Sequence, residues 1–232
     1  MHPGWLSNAY LIAAAPSGPA AFIDSGAPLE PLLQAVSKHD LRPTHLLTTH
    51  GHPDHVEGHK RLLDEFDLDV LAHPAEGVEA ATDINHGTTI EIGDLRVEAL
   101  HTPGHSPGHT AFVADGAAFT ADVLFRDSVG GTRTAFDDVR SSVMDVLMQL
   151  PGETVVYPGH TDESTIGREW EQNPFVRVWR GLDPEGDEPC RVGGEEATLV
   201  VWSPDYDGKG KAWVRLADGR NVIIGGSSVE RL

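Results

Sequence analysis

TTHGHPDH (residues 48–55) sets three histidines and an aspartate within six positions, directly after an apolar run. Thr48 and Thr49 read as the end of a strand, so His50, His52, Asp54 and His55 fall on the following loop and the start of the next helix. His50 and His52 are two apart. In an extended loop their rings converge on one cation only with a ligand from elsewhere, while Asp54 and His55 can face a second point nearby. Four clustered donors of this kind suggest two ions, and what the rest of the chain brings to the loop decides the matter.

Three more stretches place a donor at the C-terminal edge of a predicted strand, where α/β folds gather their sites. They are HTPGHSPGH (101–109), FTADVLF (119–125) and VVYPGH (155–160). The glycines and prolines of the first and last let the backbone turn sharply beside a ligand. HxHxDH by itself would also suit a polar loop with histidine caps. Donors at three distant strand ends weigh against that reading.

The elements around these stretches are legible from periodicity. Apolar runs at 10–15 and 20–24, parted by Pro16, Gly18 and Pro19, predict two strands and a turn. Leu29, Leu32, Leu33 and Val36 recur at helical spacing, and residues 44–49 and 69–73 read as strands around a helix over 55–66 that Asp54 caps. Between Thr88 and Asp122 four strands follow one another through Gly-Asp, Pro-Gly and Asp-Gly turns. Residues 135–150 return to helical period, 153–160 is a strand, and 165–172 is a helix stopped before Asn173-Pro174. Two mixed halves of this kind fit an α/β sandwich with helices covering packed sheets. Residues 181–196 lack periodicity and read as a linker, followed by a three-strand β-meander with Trp202 and Trp213 in its core.

Composition bounds the partners. Thirty-six acidic against 17 basic residues give a net charge of −19, which argues against a nucleic-acid partner, since that affinity rests on basic groups neutralising phosphates. No stretch approaches the ~20 apolar residues of a membrane span, and the opening 18 residues show no basic start or cleavage site, so the expectation is a cytoplasmic protein with no membrane partner. Cys190 is the single cysteine. It rules out an internal disulfide framework and a cysteine-cluster metal site, and is expected to be structural.

At this point the chain resembles the metallo-β-lactamase-fold hydrolases, and within them the glyoxalase II-like (hydroxyacylglutathione hydrolase-like) branch. The family's HxHxDH is matched by His50, His52, Asp54 and His55, its histidine in HTPGHTPG by His105, its aspartate in TGDxLF by Asp122, and its last ligand in PGHG by His160. The resemblance covers roughly residues 5–180. It implies an αββα sandwich over 1–180, with 181–232 as a linker and small β module, possibly SH3-like, appended to it. It further implies that His50, His52 and His105 hold one metal, Asp54, His55 and His160 the other, and that Asp122 bridges them. Two Zn²⁺ ions are expected, with iron or manganese also compatible with the ligand types. Asp54 would orient the attacking water and accept its proton, and Asp24 in FIDSG stands where the family has an aspartate supporting the site. The remaining histidines, including His59, His101 and His109, are expected to be supporting, capping or surface residues.

The resemblance points to a small-molecule thioester or ester as substrate. An aspartate at the bridging position favours thioesterase-like or lactonase-like members over true β-lactamases. Glyoxalase II proper binds glutathione with a helical C-terminal domain, which residues 181–232 do not match. DSVGGTR (127–133) departs from the GRTD of many relatives, so Gly131 and Arg133 alter that wall of the cleft. Persulfide dioxygenases share the fold and most of the motif with a single iron, and a scaffold binding a partner through its tail is the non-enzyme alternative. The tail is a candidate for covering the cleft or for joining two copies in a homodimer.

Overall fold

A computed structural model describes residues 6–232. The first five residues, part of the stretch read as lacking a leader, lie outside the described residues. Strands β1 (Tyr10–Ala13), β2 (Pro19–Ile23), β3 (Arg42–Leu47), β4 (Asp69–Ala72) and β5 (Thr82–Asp83) form the first sheet in that order. β1 is antiparallel to β2 and the rest are parallel. Parallel neighbours need crossovers, supplied by α1 (Glu30–Lys38) between β2 and β3 and by α2 (Pro53–Val56) and α3 (His59–Glu65) between β3 and β4.

Side-chain alternation along these strands sets the layers. Ala21, Ile23, Leu47 and Leu71 face the second sheet, whereas Phe22, Leu46 and Val70 pack on Leu29, Val36 and Leu62 beneath the helices. The second sheet begins with the antiparallel β6 (Thr89–Ile92), β7 (Leu95–His101), β8 (Thr110–Ala114) and β9 (Ala117–Ala121). A short ribbon of β10 (Leu124–Phe125) and β11 (Ser128–Val129) follows, and β12 (Val155–Pro158) and β13 (Ser164–Thr165) then complete the sheet beside β9. Its outer face, through Leu100, Ala111 and Val156, packs on α4 (Phe136–Ser141), α5 (Ile166–Gln172) and α6 (Pro174–Trp179). Helix, sheet, sheet, helix is the expected αββα sandwich. No helix among the described residues is long and apolar enough to cross a membrane.

Several local expectations are corrected. The helix over 55–66 is two helices, because the His55 carbonyl accepts from Ser25 N–H (2.8 Å) instead of the next turn. Asp54 is no cap; it lies in the first turn of α2, whose N-cap position is His52. Residues 135–150 stay helical only as α4, a wide π turn at Ser142–Val146 and a 3₁₀ turn at Leu147–Gln149. Asn173 ends α5 and also caps α6, its side chain accepting from Phe175 and Val176 N–H.

The tail holds five strands, not three. β14 (Glu188–Val192), β15 (Glu195–Ser203), β16 (Lys211–Leu216), β17 (Asn221–Gly225) and β18 (Val229–Arg231) pair in the order β17-β16-β15-β14-β18. β14 lies inside the stretch read as linker, and only its Cys190 is buried, so it leaves no periodic signal. β17 and β18 occupy opposite edges yet are joined by one 3₁₀ turn, Gly226–Ser228. A flat sheet would part those edges by about 19 Å, so this one curls round on itself. Trp213 is buried, while Trp202 is 36% exposed, contrary to the core role expected of it. Val200, Val201, Trp213 and Ile223 share one core with Val139, Phe175 and Val176, which joins the β module to the outer helices.

Candidate metal centre

Strands β2, β3, β7, β9 and β12 all end at one edge of the sandwich, and their following loops carry Asp24, the 50–55 cluster, His105, Asp122 and His160. All seven sequence-predicted donors meet there. His50, His55, His105, Asp122 and His160 are buried, and His52 and Asp54 are half-buried. His50 Nε2 and His105 Nε2 each lie 3.0 Å from His52 Nδ1. That spacing is close to the ~3.3 Å edge of a tetrahedron with ligand bonds of ~2.0–2.1 Å. Asp54, His55 and His160 form a second group whose donor atoms lie within 4.8 Å of one another, and His50, His55 and Asp122 a third. Asp122 reaches both sides: its Oδ1 is 3.3 Å from His55 Nε2, and its Oδ2 is 3.4 Å from both His105 Nε2 and His160 Nε2.

Two buried atoms test whether the residues fit a cation. His55 Nε2 and Asp122 Oδ1 face each other, but neither has a hydrogen-bond partner among the described residues. Leaving such groups unpaired is costly, and a cation between them would satisfy both. The residues fit a metal.

The supporting contacts fix the ring tautomers. Asp24, at φ 56°, accepts from Thr49 N–H (2.9 Å), Thr49 Oγ1 (2.7 Å) and His55 Nδ1 (2.7 Å). With the Thr49 hydroxyl proton committed to Asp24, His50 Nδ1 donates to Thr49 Oγ1 (3.1 Å). His105 Nδ1 donates to Gly131 O (3.3 Å) and His160 Nδ1 to Leu6 O (3.0 Å). Four rings thus turn an Nε2 lone pair toward the centre, the role second-layer partners play at metal sites. His109 accepts from Asp122 N–H (3.2 Å), and His59 bridges Ser25 and Thr48. His101 Nε2 bonds Pro107 O (3.0 Å), and its ring stacks on His73. His109 and His59 back the centre, while His101 lies apart from it, all three within the supporting, capping or surface roles expected of them.

Electrostatics divides the site. Burial pushes His50 well below its ordinary value and His105 down to about 4, with Arg133 among the charges that add to the His105 shift. Burial also lowers His55 and His160, but carboxylates outweigh it. Asp122 and Asp24 hold His55 well above its ordinary value, and Asp122 and Asp54 lift His160 to about 9. Burial would raise Asp122, yet His55 and His160 hold it well below the usual carboxylate range. One half therefore offers neutral imidazoles. The other concentrates negative charge that draws a cation, with the proton as competitor.

Close packing leaves little latitude. A Cβ on Gly159 would stand 2.3 Å from Asp122 Oδ1, and one on Gly26 would stand 1.5 Å from Asp54 O. Sequence reasoning missed Glu76, which accepts from Gly51 N–H (2.8 Å), Gly108 N–H (2.6 Å) and Ser106 Oγ (2.7 Å). It ties the 50–55 loop to the 101–109 loop, and no motif marks it. A cleft of about 340 Å³ opens over His105 and Asp122, and the β module supplies one wall of it through Tyr206, Lys211 and Ile223.

The Metallo-beta-lactamase superfamily profile matches residues 2–160. Hydroxyacylglutathione hydrolase GloC of Haemophilus influenzae is 32% identical over 184 residues, covering 68% of this chain and 87% of that protein. The crystal structure of ETHE1 from Myxococcus xanthus superposes with a TM-score of 0.67 at 28% identity, covering 79% of this chain and 89% of that one. TTHA1623 in a di-iron-bound form gives a TM-score of 0.63 at 32% identity, covering 75% and 98%.

Proposed function

The chain belongs to the metallo-beta-lactamase superfamily, and on that premise we propose that it is a two-metal hydrolase cleaving thioesters of small acyl thiols. The carrying observation is the placement of Asp122, within 3.3–3.4 Å of His55, His105 and His160. In this reading His50, His52 and His105 hold one ion, Asp54, His55 and His160 the other, and Asp122 is shared. Zinc suits this donor set. The di-iron-bound relative keeps iron in view as the native metal.

Two bound divalent cations would lower the pKa of a shared water from ~15.7 toward ~7 and polarise the thioester carbonyl. The chain's own residues supply the rest. Asp54, whose carboxylate is 25% exposed, orients the attacking water and takes its proton. A C–O bond forms at the carbonyl carbon, the C–S bond breaks, and the departing sulfur receives the proton as the thiol. Phe125, Ile223 and Ile224 line the cleft with apolar surface against the acyl thiol. Residues 1–180 would carry the hydrolase, and 181–232 the β module that stands where glyoxalase II has its glutathione-binding helices. The resemblance to hydroxyacylglutathione hydrolases, GloC among them, supports thioester chemistry.

Elemental analysis of the purified protein beside turnover of S-lactoylglutathione and simpler acyl thioesters tests the reading. About two metal ions per chain with thioester cleavage are expected. One iron per chain, with oxygen uptake on glutathione persulfide and no thioester cleavage, would overturn it in favour of a persulfide dioxygenase.

A further inference from the structure

The cleft holds two cationic side chains in unlike states. Lys211 is 2.9 Å from Asp205 and sits against the rings of Phe125 and Tyr206, so its charge is already answered. Arg133, on the opposite wall beside His105, has no carboxylate within ion-pair distance among the described residues. In a chain with 36 acidic and 17 basic residues, a guanidinium left unpaired at the mouth of a reaction cleft is a sign of something it has yet to bind.

Its base is held from both sides. Arg133 N–H donates to Gly104 O (2.9 Å), tying it to the loop that carries His105. The neighbouring Thr132 exchanges two bonds with β17, its N–H donating to Ile223 O (2.8 Å) and its Oγ1 accepting from Ile223 N–H (3.0 Å). The exposed side chain thus springs from a backbone fixed to the metal-site loop and to the β module at once. A guanidinium so anchored presents a planar fork of donors matched to a carboxylate.

We propose that Arg133 forms an anion subsite, and that the substrate is an acyl thioester bearing a carboxylate near the scissile bond. The inference rests on the thioesterase reading and deepens it by naming the substrate class. The cleft's size, about 340 Å³, fits a short acyl thiol whose charged group is a carboxylate. The subsite also gives a strongly acidic protein a local charge able to draw in an anion that its overall field repels.

Two matched probe pairs test this on the metal-replete full-length protein. One is S-acetyl-3-mercaptopropionate with its amide, placing the charge on the thiol half. The other is S-ethyl monothiosuccinate with its amide, placing it on the acyl half. The wild type is expected to favour the carboxylate of at least one pair about tenfold or more in kcat/KM, chiefly through KM. In Arg133→Gln that ratio should fall toward one, with Arg133→Lys in between. Competition by 3-(acetonylthio)propionate and its amide, followed calorimetrically, reads the subsite without turnover. Carboxylate-selective binding that Arg133→Gln removes upholds the subsite even if neither thioester is cleaved, in which case only the thioesterase reading fails. Equal affinity for acid and amide in the wild type, or a preference that survives Arg133→Gln, overturns the proposal while leaving any thioester cleavage standing.

Discussion

The phenol ring of Tyr206 lies flat on the imidazole of His160, with centroids 4.0 Å apart and planes 10° apart. Tyr206 comes from the turn between β15 and β16, whereas His160 follows β12. The β module therefore reaches into the centre and holds one of its donors, whose other side is fixed by the bond to Leu6 O.

Removing that ring should be felt as looser metal binding. An aromatic stack contributes about 0.5–1.5 kcal/mol, so Tyr206→Ala is expected to weaken one ion by about two- to tenfold, with Tyr206→Phe close to the wild type. Titration against a competing chelator reads this directly. Equal weakening by both substitutions would point to the hydroxyl instead of the stack.

Asp24 touches no cation in the proposed assignment, yet it orients His55 and Thr49 together. Loss of such an outer partner costs metal sites about 10–100-fold in affinity. Asp24→Asn keeps the shape but not the charge, and should fall in that range while the fold persists by circular dichroism. Metal affinity unchanged in Asp24→Asn would mean that His55 needs no orienting partner.

Asp122→Ala and His105→Ala attack the ligand assignment itself. Each is expected to lose bound metal and at least about a hundredfold in rate, as groups acting at a metal centre do. Elemental analysis and turnover are measured on the same preparations. Near-normal turnover in either variant would remove Asp122 as the bridge between two ions.

Much of the fold and of the candidate centre is legible in the sequence, for physical reasons that differ by element. The sandwich could be read because Ala21, Phe22 and Ile23 on β2, like Leu46 and Leu47 on β3, serve two cores in turn, so both faces are apolar and each strand shows as an unbroken apolar run. The seven donors could be read because each follows closely on the end of a strand, with glycine or proline beside all of them but Asp122. The broken helix at 55–66 could not, since its cause is a bond from Ser25, thirty residues away. Glu76 and Tyr206 were equally hidden: each acts on partners distant in the chain, Glu76 in an unremarkable turn and Tyr206 in a tail that was a candidate for covering the cleft but in which no residue was marked for that part. β14 was missed because its one buried residue, Cys190, gives no period to detect.

The shared core makes a prediction about the tail that a linker reading would not. Trp213 is 4% exposed, packs with Phe136 and Trp179, and donates to Asn221 Oδ1 (2.9 Å). Trp213→Ala should destabilise the protein by about 3–5 kcal/mol, the usual cost of emptying a large aromatic site. Trp202→Ala, at a partly exposed ring, should cost well under half of that. Because Val200, Val201 and Ile223 pack with Val139, Phe175 and Val176 across the junction, denaturation of the wild type should be a single transition followed alike by tryptophan fluorescence and far-UV circular dichroism. Two separated transitions, with Trp213→Ala shifting only one, would mean that residues 181–232 fold by themselves and merely rest on the sandwich. A single transition moved as a whole would mean that the wall they give to the cleft unfolds together with the sandwich that carries the candidate site.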